Sequence, residues 1–242
     1  MAKKLLKYIY YLTVLIAVGI LMAFVNNKNE SRNITDLKIN ILDIDSVGFV
    51  DEDMVKNKIL KSYDSLFYRS KKNIDLVAVE NSIENLDQVK SAELFMSVDG
   101  DLLVNVTQLK PIARVYSGKK SFYLDERGKK MELSKKYTKA VPLVMGNVDK
   151  ENYEELFKLI SYIRSNKVLN EQVVSIEIDK HNDYFLRTRK GNQIIELGKP
   201  VDIEEKFEKL MIFYRRTVSE YGWKRYKRIN LEFTNQVVCT KR

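Results

Sequence analysis

The chain carries one histidine, His181, and one cysteine, Cys239, which narrows the chemistry it can perform. A single cysteine excludes an internal disulfide and any Cys-based zinc site, because each needs at least two sulfurs. A single histidine excludes a histidine-cluster metal site. No metal or cofactor is expected. His181 sits in Asp179-Lys180-His181-Asn182-Asp183, a charged turn between two alternating runs, where an exposed imidazole costs little, so a surface role is preferred to catalysis. No Gly-x-Ser-x-Gly elbow is present to give it a nucleophile. Phosphate-binding glycine loops, His-Glu-x-x-His helices and Asp-rich calcium loops do not occur either. Carboxylate pairs do occur, Glu204 with Glu205 and Asp51 with Asp53, and two carboxylates are what glycoside hydrolysis asks for. Both pairs open helical patterns, where capping and the helix dipole explain them. The chain therefore reads as a non-enzyme. A membrane-anchored cell-wall enzyme using carboxylates stands as an alternative, and it requires a deep acidic cleft.

The elements behind these residues begin with Tyr8 to Val25, eighteen residues without a formal charge. A helix of that length reaches about 27 Å, close to the ~30 Å hydrocarbon core of a bilayer. Lys3, Lys4 and Lys7 precede it, so the positive-inside rule places residues 1–7 in the cytoplasm and everything after the span outside. No small-residue cleavage site follows, which favours an uncleaved anchor over a signal peptide. The formal charge is +9, with 45% hydrophobic residues. That is enough apolar mass for a core and excludes a disordered chain. Such a surface attracts nucleic acid, anionic lipid or acidic cell-wall polymer. The outward orientation and the mixed charges argue against nucleic acid, and a solvated, mildly basic surface is the simplest reading.

Residues 26–36 are polar and unpatterned, a tether. Leu37, Ile39 and Ile41 then alternate as a strand. Helical patterns follow through Met54, Val55, Ile59 and Leu60, and from the N-cap candidate Asp75 through Leu76, Val79, Ile83 and Leu86. Alternating runs at Ala92–Val98 and Leu102–Val106 flank Asp99-Gly100, a strong hairpin signal. The order is β-α-α-β-β. Further on, a helix is expected from about Asn152 to Ser165, and strands at Val173–Ile178, Tyr184–Arg189 and Gln193–Leu197. A helix opened by Asp202-Ile203-Glu204-Glu205 should run to about Tyr221 and stop at Gly222.

This order resembles a POTRA domain, and the segments after it are similar to those of the bacterial cell-division family FtsQ/DivIB. Val104-Asn105-Val106-Thr107-Gln108-Leu109-Lys110-Pro111-Ile112-Ala113 resembles the family's "V-x-E-R-x-P-x-A" stretch. Gln108 and Leu109 stand where a Glu-Arg pair is commoner. Phe122–Gly128 is similar to "Y-x-D-x-x-G", and Pro142-Leu143-Val144-Met145-Gly146 to "lPvltG". Arg228–Val238 is similar to the C-terminal "I-D-L-R-Y-x-n-q-V-V" signature, with Asn230, Glu232 and Phe233 for Asp, Arg and Tyr. The resemblance implies an α+β chain: cytoplasmic tail 1–7, single N-terminal transmembrane helix 8–25, linker 26–36, POTRA-like domain 37–110, and a mixed β-domain with flanking helices over 111–242. It also implies a septal, single-pass protein of the inner membrane, its bulk periplasmic or extracytoplasmic. Its function would be that of a divisome scaffold bridging early and late division proteins by binding FtsB/DivIC-like and FtsL-like bitopic partners. The partner-binding region carried over is Phe233, Gln236, Val237, Val238, Cys239 and Thr240, where a terminal strand offers unpaired backbone groups. Ile229, Leu231 and Phe233 share one strand phase, so Phe233 faces either the core or the partner. A POTRA-bearing outer-membrane assembly or secretion factor is the other alternative, although neither repeated POTRA units nor a barrel pattern is visible.

Overall fold

The computed structural model describes residues 9–22, 33–42, 48–62, 73–97, 99–118, 120–134 and 136–242. Helix α1 covers residues 9–22, and it corrects the expected membrane span. At 1.5 Å per residue it reaches about 21 Å, well short of a ~30 Å hydrocarbon core. Among the described residues no helix is long and apolar enough to cross a membrane. Of the eighteen uncharged residues that defined the apolar window, the described helix covers residues 9–22. The expected tail 1–7, the flanks of the expected span (Tyr8 and 23–25) and residues 26–32 of the expected linker lie outside the described residues. The chain is a mixed α+β fold with a large β-sheet.

The chain divides into two compact units, residues 1–108 and 109–242. In unit 1, strand β1 (Leu37–Leu42) is followed by helices α2 (Glu52–Ser62) and α3 (Leu76–Glu84), then strands β2 (Val89–Met96) and β3 (Leu102–Gln108). The sheet order is β1-β3-β2, with β1 parallel and β2 antiparallel to β3. Local chemistry sets the helix starts. Asp51 Oδ1 accepts the Met54 N–H at 2.8 Å, and Asp75 Oδ1 accepts that of Ala78 at 3.0 Å. The helices bury Val55, Ile59, Val79 and Ile83 against Leu102, Val104 and Val106, as a 3-4 apolar stripe over an alternating strand requires. The β2–β3 turn needs a glycine: Gly100 has φ 97°, and a Cβ there would meet the Asn33 carbonyl oxygen at 3.0 Å.

Unit 2 is built on one nine-stranded sheet. Its strands are β4 (Pro111–Ser117), β5 (Lys120–Asp125), β6 (Lys130–Met131), β7 (Leu143–Gly146), β8 (Val173–Ile178), β9 (Tyr184–Thr188), β10 (Ile194–Gly198), β11 (Tyr226–Asn230) and β12 (Val238–Lys241). Three helices intervene: α4 (Tyr153–Ser165), α5 (Lys167–Gln172) and α6 (Ile203–Tyr221). Spatial order is β12-β11-β10-β9-β8-β7-β4-β5-β6. Val115, Val144, Ile176, Leu186, Ile195 and Ile229 pack on Leu156, Ile160, Leu169, Phe207 and Leu210 from the helices, so one sheet face is the core. Along the opposite face Leu143 and Met145 are each 38% exposed. Gly146, at φ 99°, lets β7 run close to β8, since a Cβ there would overlap the Ile178 carbonyl.

Buried polar groups tie α6 to the sheet. Lys206 Nζ donates to the carbonyls of Leu197 (2.9 Å) and Lys199 (2.8 Å). Gln193 Oε1 accepts from the Tyr214 hydroxyl at 3.1 Å while its Nε2 donates to the Trp223 carbonyl at 3.0 Å. Asp202 precedes α6 in a left-handed conformation (φ 51°) and makes no side-chain cap bond, so the expected capping box is absent. Gly222 ends the helix as expected, its N–H donating to the Val218 carbonyl.

Candidate functional site

Strand β12 is a border of the nine-stranded sheet. It pairs antiparallel with β11 on one side, Asn230 opposite Val238, Ile229 opposite Cys239 and Arg228 opposite Thr240, and among the described residues no strand lies beyond it in the sheet order. Alternation along the strand divides its side chains. Val237 and Cys239 are half-buried and pack on the core, whereas Gln236, Val238 (45% exposed) and Thr240 are exposed. Burial pushes the Cys239 thiol up to about 11, so at neutral pH it is an apolar filler rather than a nucleophile.

Phe233 is not on a strand. β11 ends at Asn230, and Phe233 lies in the turn that follows, 48% exposed. Ile229 and Leu231 do face the core, but the chain leaves the strand before Phe233 can share their phase. The turn is held from both sides. Lys209 Nζ, on α6, donates to the Phe233 carbonyl at 2.9 Å, and Asn230 Oδ1 accepts the Glu232 N–H at 2.8 Å. Behind it Glu196 on β10 accepts from Arg228 and from Asn230 Nδ2 (2.8 Å), which fixes β11 and with it the position of β12.

Between α6 and the segment leading into β12 lies a groove of about 300 Å³ lined by Lys209, Ile212, Phe213, Arg216, Gln236 and Val237. The expected residues are thus gathered on one border: an open strand edge, an exposed valine on it, a phenylalanine at the mouth of its hairpin, and a largely apolar groove beside it. Sequence reading missed the groove because Ile212 and Arg216 lie on α6, over twenty residues away, and only the sheet order brings them together. This arrangement suits an extended peptide backbone, which completes the edge hydrogen bonds while its side chains find apolar footing.

The sequence-named acidic and imidazole groups are elsewhere and apart. His181 is exposed in its turn, its backbone N–H donating to Asp179 Oδ1 at 2.8 Å. Glu204 and Glu205 lie in the first turn of α6, and Asp51 caps α2 in the other unit. Among the described residues no group of three or more His, Cys, Asp or Glu is placed to hold a metal ion.

Comparison with known proteins bears on the same segment. No curated protein matches. Among solved structures, the major extracytoplasmic domain of the cell-division protein DivIB from Geobacillus stearothermophilus, in its trans isomer, is similar at 17% identity, with 46% of this chain and 93% of that one covered and a TM-score of 0.33. A family model described as FtsQ/DivIB, C-terminal related, matches residues 110–240, from just before β4 to within β12. That family is of cell-division scaffold type rather than a known enzyme family, and it implies a membrane-tied extracytoplasmic domain at the division site. With more than half of its length matched, this chain belongs to the FtsQ/DivIB C-terminal related family, which supports a role in cell division.

Proposed function

We propose that the chain is a divisome scaffold whose open β12 edge receives a strand from a small bitopic division protein of the FtsB/DivIC kind, with an FtsL-like protein in the same complex, and so links early and late division proteins. The observation that carries this reading is that, among the described residues, β12 has a single neighbour in the sheet. Four residues, Val238–Lys241, present about four outward backbone groups. At ~0.5–1.5 kcal/mol net each, these contribute about 2–6 kcal/mol against the ~4–15 kcal/mol cost of association. Side-chain anchors must make up the difference. Val238 and Phe233 are the exposed apolar groups at hand, 45% and 48% exposed, and covering the remaining surface of each adds roughly 1 kcal/mol. The partner-contacting set is then Phe233, Gln236, Val238 and Thr240, with Val237 and Cys239 holding the strand from beneath. Unit 1, β-α-α-β-β with sheet order β1-β3-β2, supports a POTRA-like reading of residues 37–110, beside an FtsQ-type β-domain over 111–242.

The experiment is copurification with an FtsB/DivIC-like partner, comparing the native chain with the Phe233→Glu/Val238→Glu double variant. Both sites are exposed, so stability should change by no more than about 0.5 kcal/mol each while partner recovery falls at least tenfold. Full recovery from a folded double variant would contradict the edge as the docking site.

A further inference from the structure

Charge in unit 2 is sorted by the direction of the strands. At one end of the sheet lie the turns 147–155, 179–183 and 199–205, which together hold nine acids against three lysines. The strand registers place them there in common: Gly146 is opposite Ile178, Ile178 opposite Tyr184, and Tyr184 opposite Gly198. At the other end the β9–β10 turn, the chain leaving α6 and the end of β12 converge. Tyr226 is opposite Lys241, and the Arg242 backbone N–H donates to the Arg225 carbonyl. The Arg242 guanidinium donates to the Gly191 carbonyl at 2.6 Å. Segments 189–192, 222–228 and 241–242 contain eight Lys or Arg and no acid. The acids at the margin are Glu171, Glu196, which is paired with Arg228, and Glu220, which is engaged by Tyr221.

Aromatic rings lie among these cations. Arg225 stacks over the Tyr221 ring at 5.5 Å, and Lys190 Nζ sits 5.9 Å from the Trp223 ring. Tyr221 is 50% exposed and Trp223 half-buried against Tyr214. Lys and Arg interleaved with Trp and Tyr suit the headgroup level of a bilayer, where a cation meets phosphate and an amphipathic ring lies between water and acyl chain. A soluble polyanion would be satisfied by the cations alone. The acidic turns at the far end give the unit a charge dipole that turns the basic end towards any negative surface.

We propose that this end of unit 2, presenting Arg189, Lys190, Lys224, Arg225, Lys241 and Arg242 around Tyr221 and Trp223, docks on an anionic phospholipid surface. The proposal is independent of strand addition at β12. Its reporter is built in, because Trp223 is the only tryptophan. The full chain is added to vesicles of phosphatidylcholine alone, or of phosphatidylcholine with phosphatidylglycerol, each carrying a headgroup spin label, and Trp223 emission is followed. The apolar N-terminal segment associates with both vesicle types, and Lys3, Lys4 and Lys7 beside it add a preference for phosphatidylglycerol, so the basic end is read from the change that charge reversal at Lys224 and Arg225 makes to that difference. Strong quenching is expected only with phosphatidylglycerol. It should vanish in about 0.5 M NaCl, where screening reaches about 4 Å. The lipid concentration needed should rise about tenfold or more in Lys224→Glu/Arg225→Glu and stay unchanged in Lys224→Arg/Arg225→Lys, with folding checked by circular dichroism. Equal quenching in both vesicle types, or quenching that survives charge reversal, would overturn the proposal. So would a Trp223 response to soluble polyglutamate at lower charge concentration than to the vesicles, which would assign the end to an acidic protein segment.

Discussion

Tyr184 is fully buried on β9 and its hydroxyl has no hydrogen-bond partner among the described residues. An unsatisfied buried hydroxyl costs roughly 1–3 kcal/mol, so Tyr184→Phe should raise stability by about 1 kcal/mol at neutral pH. The same burial raises the phenol from 10.0 to about 12, as it raises the Cys239 thiol from 9.0 to about 11. Both groups keep their protons longer folded than unfolded. Their contribution is therefore complete below about pH 9, and is lost as pH rises through 11 for the thiol and 12 for the phenol. Lys206 acts with the opposite sign, since burial lowers its ammonium and its contribution grows as pH rises. Tyr184 and Cys239, joined by Tyr214, whose phenol burial also raises, outnumber it. Urea midpoints should fall from pH 9 to 12, with Tyr184→Phe losing less than the native chain; a flat profile, or a destabilised variant, would contradict this. At this scale the sequence was readable where a residue was exposed and local. His181 stands in the polar turn that its neighbours Asp179 and Asp183 announced. The Lys206 and Gln193 bonds were not readable, because each reaches a carbonyl that only tertiary packing brings near.

Among the elements, the β2 edge of the unit 1 sheet is occupied by side chains. On β2, the N–H of Ala92 donates to Glu84 Oε1 at 3.0 Å and that of Leu94 to Glu80 Oε1 at 2.7 Å. Two carboxylates from α3 thus occupy alternate donors of an edge strand, which blocks that edge against further pairing. Replacing both, Glu80→Ala/Glu84→Ala, should cost about 2 kcal/mol in a urea titration and cause concentration-dependent association in sedimentation. A variant that stays monomeric at unchanged stability would show the carboxylates to be incidental. The hairpin of unit 1 was legible because alternation and Asp99-Gly100 are both local signals. The strands at 173–178 and 184–188 and the stop at Gly222 were legible for the same reason. Phe233 was misplaced because alternation extrapolates a strand past its end: the turn begins once Asn230 bonds back to Glu196 and Glu232. Asp202 was misread because a capping box presumes an extended N-cap backbone, whereas here the residue is left-handed.

For the whole molecule, the apolar N-terminal stretch shows how far composition reaches. Its length without charge matched a bilayer, yet the helix described there, residues 9–22, is too short to cross one. The nine-strand order arises from contacts distant in sequence, which no local pattern encodes. Motif order did carry the family, since the segments from Pro111 to Val238 fall inside the matched residues 110–240. The most direct measurement of the central claim is hydrogen–deuterium exchange of the full chain, alone and with an FtsB/DivIC-like partner bound. The outward-facing amides among residues 238–241, those not already bonded to β11, should exchange quickly in the free chain and slow at least tenfold in the complex, with β6 at the far border unchanged. A stable complex that leaves the 238–241 amides exchanging as before would contradict strand addition at β12.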